Sequence, residues 1–455
     1  MSKKIYYVIG ILILFFLLFI LTRLVTLLVI GFPFETAFYN STTPLGTPLF
    51  WNCLAVLGVL LVLYGIRIYI IKYNFDHFSK PKAIVCITLI FGALIGGYII
   101  AKKYHKAYNQ KIEYHYHVPE LSAVKKSEDS LLGKQLIKGA NVFNWDKVSE
   151  RSIIQIKSLG IEWVTIMPFD YQEATDSPKI NHLEELPNLR TKDTTFLKLI
   201  KLCKDQDLKV VFKPHLWINS GWRDDLCFET KRNWNLWFEN YKKLTLHYAK
   251  VAQIANAEMF CIGTELLESV QEQPELWSKM ITEIKGIYKG ELTYAANWDK
   301  EYQEIPFWGQ LDYIGVQAYF PMKVNGKKSF GKLKSSLKPH LDTLENFAKA
   351  RNKKVLFTEM GYKSVEKNTA EPWTWPKKTD VFTRVYSEES QSEAYEVLFS
   401  SVFDKDWFAG GLIWEYNLDE DDGPIANQRY NFSPRYKDAE NVIKKYYLKD
   451  YNESQ

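Results

Sequence analysis

Two glutamates stand at the ends of strongly apolar runs: Phe260-Cys261-Ile262-Gly263-Thr264 leads to Glu265, and Val355-Leu356-Phe357-Thr358 leads to Glu359. A carboxylate is costly inside an apolar element unless it is paired, so each belongs at an element end with polar company. One such residue is often half of a structural ion pair. Two together can divide the work on a glycosidic bond, one as general acid and the other as nucleophile or base. Other apolar runs end in Asn141, Phe169 with Asp170, His215 with Trp217, Asn297 with Trp298, Tyr319 and Trp414. Sugar rings carry hydroxyls at their rims and C–H groups on their faces, so hydrogen-bonding side chains beside flat aromatic ones suit a carbohydrate cleft. An aromatic content of 15% is more than core filling alone requires.

The elements that must position these groups alternate regularly. Apolar runs predict strands over 138–143, 163–168, 209–218, 259–264, 292–298, 311–320, 354–361 and 412–416. Amphipathic spacing predicts helices over 147–159, 195–205, 233–253, 274–288, 333–351, 390–403 and 435–447. Strand-helix alternation repeated eight times points to an α/β protein of the (β/α)8 TIM-barrel type. A doubly wound open sheet is the alternative, but no glycine-rich phosphate turn follows any of these strands. In a barrel the chemistry sits at the C-terminal strand ends, which is where the polar and aromatic residues fall. Glu415, next to Trp414, points to the opposite side of its strand and is read as a packing residue.

Ahead of the barrel, residues 5–32, 50–71 and 83–100 are each long and apolar enough to cross the roughly 30 Å hydrocarbon layer as a helix. The chain therefore reads as a three-helix transmembrane anchor over 1–100, a polar spacer over 101–134 and a catalytic domain over 135–450. A cleavable signal peptide accounts for the first span only, because the other two remain. Residues 31–49 contain no Lys or Arg, whereas Lys3, Lys4, Lys72, Lys80 and Lys82 flank the spans on the other side. The positive-inside bias places 31–49 outside, and three spans then put the barrel on the non-cytoplasmic side of the cell membrane. A net charge of +5 over 455 residues leaves no basic stripe for nucleic acid.

The five cysteines do not form a disulfide framework, although Cys203 and Cys227 could pair. No metal or other cofactor is expected. His182, His215 and His247 lack ligand spacing on one helix, and the acidic run 419–423 lacks the spaced ligands of an EF-hand loop.

The segments Ile262-Gly263-Thr264-Glu265-Leu266, Phe357-Thr358-Glu359-Met360-Gly361-Tyr362, Gly411-Leu412-Ile413-Trp414-Glu415-Tyr416-Asn417 and Phe432-Ser433-Pro434-Arg435 resemble glycoside hydrolase family 113. The resemblance spans about 137–447. It implies a retaining (β/α)8 glycosidase of the endo-β-1,4-mannanase kind, acting on an oligo- or polysaccharide of the β-mannan type. It implies further that Glu265 is the acid/base, Glu359 the nucleophile, Tyr319 a donor to the nucleophile, and Trp414 the floor beneath the cleaved sugar. Thr264 stands where related glycosidases usually have Asn, which leaves the sugar 2-hydroxyl to another group such as Asn297 or His215. The competing readings are a non-catalytic, membrane-anchored carbohydrate-binding barrel, a β-glycosidase for another glycan, and a membrane factor in which the spans matter more than the barrel.

Overall fold

The computed structural model describes residues 136–181, 183, 191–326, 328–375, 385–418 and 430–449. The spans and spacer expected over 1–134 and the acidic run 419–423 lie outside them. No helix among the described residues is long and apolar enough to cross a membrane.

Eight parallel strands close into a barrel. In chain order the strands are β1 (Ile137–Phe143), β2 (Trp163–Ile166), β3 (Phe169–Ala174), β4 (Lys209–Phe212), β5 (His215–Ser220), β6 (Met259–Thr264), β7 (Glu291–Asn297), β8 (Ile314–Gln317), β9 (Val355–Met360) and β10 (Phe408–Asn417). Around the barrel the order is β1-β10-β9-β8-β7-β6-β4-β2, and β1 pairs with β2 to complete the ring. The (β/α)8 expectation for this region is therefore met. Strands such as β6 and β9 are buried at every residue, as strands covered on both faces must be.

The helices are α1 (Glu150–Ser158), α2 (Thr191–Asp205), α3 (Lys231–Ala255), α4 (Leu267–Glu272), α5 (Pro274–Ile287), α6 (Glu301–Glu304), α7 (Phe330–Ala350), α8 (Glu388–Val402) and α9 (Ala439–Tyr447). Their ends follow from local chemistry. Ser149 and Ser152 form a capping box on α1, Thr230 caps α3, and α3 stops where Asn256 turns left-handed. The buried face of α3 carries Trp234, Trp237, Phe238, Tyr241, Leu244 and Tyr248 at the spacing of one helical stripe.

Two expected strands are interrupted. The run 209–218 is divided into β4 and β5 at Lys213-Pro214, and 163–168 ends at Ile166 before Pro168. Proline cannot donate to the barrel ladder, so both chains leave the wall at the same height. They continue as a separate parallel pair, β3 with β5, in which Phe169 is opposite His215 and Tyr171 opposite Trp217. This pair raises one side of the barrel mouth. The strand expected over 311–320 is shorter, with Tyr319 beyond its end, and that over 412–416 begins earlier, at Phe408. Cys203, Cys227 and Cys261 are all free, so the possible Cys203–Cys227 bridge is not formed.

Inside the barrel, Ile137, Trp163, Val211, Met259, Leu356 and Leu412 plug the end where the strands begin. At the other end Met167, Tyr319, Trp414 and Phe432 form a second cluster. The interior is thus filled below and presents an aromatic platform above.

Candidate active site

A cavity of about 530 Å³ opens at the C-terminal strand ends. Glu265, Glu359, His215, Trp217, Asn297, Trp298, Tyr319 and Trp414 all line it. Asn141 does not. Its side chain is fully buried, and Nδ2 donates to the carbonyls of Thr358, Leu412 and Ile413 at 3.1 to 3.4 Å. A short polar side chain pointing into a parallel barrel finds neighbouring backbone before it finds the mouth, so the expected cleft contact of Asn141 is corrected to a strap between β1, β9 and β10. Asp170 is likewise taken up by Tyr248 and Lys192.

Glu359 sits in β9 and is 4% exposed. Its Oε1 accepts from Lys213 Nζ at 2.5 Å and Gln317 Nε2 at 2.9 Å, and its Oε2 accepts from Tyr319 Oη at 2.9 Å. Three donors, one of them a fully buried ammonium, are arranged for an anion. Burial and the charge of Glu359 in turn hold the Tyr319 hydroxyl well above its usual range, so it remains a donor.

Glu265 follows β6 with φ of +51°, a left-handed conformation that few non-glycine residues adopt and that tends to mark functional positions. Its Oε2 accepts from Arg223 Nη2 at 2.6 Å. Burial raises its pKa above the ordinary glutamate value; the Arg223 guanidinium opposes this and the charge of Glu359 adds to it. The two carboxyls thus differ in kind: one is surrounded by donors, the other is buried with a single cation.

Trp414 lines the cavity and is 5% exposed. Phe143 meets its ring edge-on at 5.0 Å, His215 stacks at 6.5 Å, and Lys213 Nζ lies 5.7 Å from its centroid. The close packing extends to backbone: a Cβ on Gly361 would fall 1.9 Å from the Trp414 carbonyl oxygen. Burial, reinforced by Lys213 and Arg223, keeps the His215 imidazole well below its usual pKa and hence neutral. Its Nε2 is buried without a hydrogen-bond partner among the described residues. Trp217, Trp222, Trp373 and Trp375 also line the cavity and are each between 37% and 46% exposed; Trp373 stacks on Trp298 and Arg223 lies over the Trp222 ring.

Lys213, Arg223 and Gln317 are site residues absent from the sequence reading. Lys213 was accessible to the rule that found the glutamates, since it closes the apolar run Val210-Val211-Phe212. Arg223 lies in a single 3-10 turn after β5, where no periodicity marks it.

The family model for Glycoside Hydrolase Family 113 matches residues 140–436. Among solved structures, the GH113 beta-mannanase AaManA from Alicyclobacillus acidocaldarius in complex with ManMIm is 24% identical, with a TM-score of 0.58, and the alignment covers 69% of this chain and 97% of that one. Two structures of a GH113 beta-1,4-mannanase, one of them a complex, are 24% and 25% identical with TM-scores of 0.59 and 0.58, each covering 70% of this chain and all of the other. No curated protein sequence matches the chain. With the barrel, the paired glutamates and a family match over most of its length in agreement, the chain belongs to glycoside hydrolase family 113 and is a glycoside hydrolase.

Proposed function

We propose that this glycoside hydrolase cleaves β-1,4-mannosidic bonds with retention of configuration, Glu359 acting as nucleophile and Glu265 as acid/base. The observation that carries the reading is the contrast between the two carboxyls. Glu359 is held by Lys213, Gln317 and Tyr319, which favours the anion needed for attack on the anomeric carbon. Glu265 is buried and shifted toward the protonated form, as a general acid must be. In the first step Glu265 donates its proton to the leaving oxygen while a Glu359 oxygen bonds to the anomeric carbon. In the second, Glu265 takes a proton from water, which displaces Glu359 and restores both groups. Trp414 floors the cleaved sugar, while His215, Trp217, Asn297 and Trp298 line the binding surface. The mannan assignment rests on the solved relatives, which are named as β-mannanases.

The test pairs variants with leaving groups. Glu265→Ala is expected to cripple cleavage of β-mannan oligomers, spare the first step on activated aryl β-mannosides, and gain turnover with azide. Glu359→Ala is expected to abolish retaining turnover on both. A glycosyl azide of retained configuration from the Glu359 variant, with an inverted one from the Glu265 variant, would reverse the roles. A panel of β-mannan, glucomannan, cellulose oligomers and xylan tests the sugar.

The same proposal places the enzyme at the cell membrane, with residues 1–100 as anchor and the barrel on the non-cytoplasmic side. Its support is the apolar runs and the loop charges. A reporter fused after Lys134 should be active only outside; activity only in the cytoplasm would refute the topology.

A further inference from the structure

The left-handed backbone of Glu265, with φ of +51°, needs partners to hold it, because L side chains rarely adopt this conformation. Both partners come from β7. Glu265 N–H donates to the Ala295 carbonyl at 3.0 Å, and Leu266 N–H donates to Tyr294 Oη at 2.7 Å. Having accepted from Leu266, the Tyr294 hydroxyl has its one proton left to give, and gives it to Glu301 Oε1 at 2.5 Å. The second oxygen of Glu301 accepts the backbone N–H of Asn297 at 2.6 Å. Leu266, Tyr294 and Glu301 are at most 2% exposed, so water does not substitute for any link. Neither Tyr294 nor Glu301 lines the cavity, whereas Glu265 and Asn297 do.

We propose that Glu301 is a positioning residue for the acid/base: through Tyr294 it fixes the backbone that aims Glu265, and through its other oxygen it fixes Asn297 beside the same substrate. Burial pushes the Glu301 carboxyl up to about 8 against the pull of these two donors, and in its ionised form both oxygens accept, one from each neighbour. A glutamine would turn an N–H₂ toward one of the two donors, and an alanine would leave both donors buried and unpaired. The inference rests on the assignment of Glu265 as acid/base.

The experiment measures kcat/KM for wild type, Glu301→Gln, Tyr294→Phe and Glu265→Ala on a series of aryl glycosides of graded leaving-group acidity. The series is built on whichever β-glycoside the wild-type enzyme cleaves. Proton donation matters for poor leaving groups and hardly at all for activated ones. A misaimed acid should therefore cost roughly 10- to 100-fold on the poor substrates and less than about 3-fold on the best. Glu301→Gln and Tyr294→Phe should both steepen the dependence in the direction of Glu265→Ala, though less than it does. Tyr294→Phe keeps the ring that packs edge-on against Trp277 and Phe307, so it remains informative if Glu301→Gln folds poorly. A steep Glu265→Ala series beside a uniform loss, or no loss, in the other two would overturn the positioning role. A flat Glu265→Ala series would instead overturn the acid/base assignment beneath it.

Discussion

Replacing Arg223 with Met should move the basic limb of the pH–rate profile upward. Arg223 Nη2 and Glu265 Oε2 lie 2.6 Å apart, and both side chains are 8% exposed. Removing one member of such a buried pair ordinarily costs about 3–5 kcal/mol, because a charge is left without its partner. Glu265 has a way to avoid that cost, which is to keep its proton. The lost ion pair therefore appears as a rise in the Glu265 pKa. Burial already pushes this carboxyl up and the charge of Glu359 adds to it, while Arg223 and, more weakly, Lys213 pull it down, so without Arg223 only Lys213 opposes the rise. The assay is kcat/KM against pH on an oligosaccharide substrate, which reports the ionisations of the free enzyme. The base form needed in the second step should become scarce, so kcat on activated aryl glycosides should fall and recover with azide. Stability at neutral pH should drop by less than the full pair energy, since a neutral Glu265 needs no cation. A basic limb that stays in place or moves downward would refute the claim that Arg223 sets the ionisation of Glu265.

Three further outcomes are expected. Tyr319→Phe deletes one of the three donors to Glu359; a hydrogen bond to a charged group is worth about 1.5–3 kcal/mol, so kcat should fall roughly 10- to 100-fold with the fold intact by circular dichroism. Glu440 is buried, and burial pushes its carboxyl up to about 8 in spite of the donors Tyr416 and Gln155. A folded pKa above the unfolded one means that its stabilising contribution is complete at low pH and is lost as pH rises toward about 8; Glu440→Gln should flatten the decline of Tm between about pH 5 and 8 by about 5 °C. Gly361→Ala forces a Cβ to 1.9 Å from backbone, which no side-chain rotation relieves, and should fail to yield folded enzyme in an expression and melting test.

Much of the barrel was legible in the chain because parallel strands covered on both faces must be continuous apolar runs, and the helices between them must carry one apolar stripe. Glu265 and Glu359 were legible for the related reason that a carboxylate closing such a run has no bland place to go. What local sequence could not show is which polar side chains meet across the barrel. Asn141 looked like a cleft residue and is instead bonded to β9 and β10, more than 200 positions away. Lys213 and Gln317 are separated from Glu359 by 146 and 42 positions, and Arg223 from Glu265 by 42. Closure of the ring brings them together, and no periodicity along one strand records it. The prolines at 168 and 214 were visible as residues, but that they leave two strands at matching heights, to pair again as β3 and β5 at the mouth, depends on the register between β2 and β4. Composition and period thus determined the barrel and its two carboxyls; which donors surround each carboxyl was decided by the closed tertiary structure, because the partners of a buried charge are neighbours in space and not in sequence.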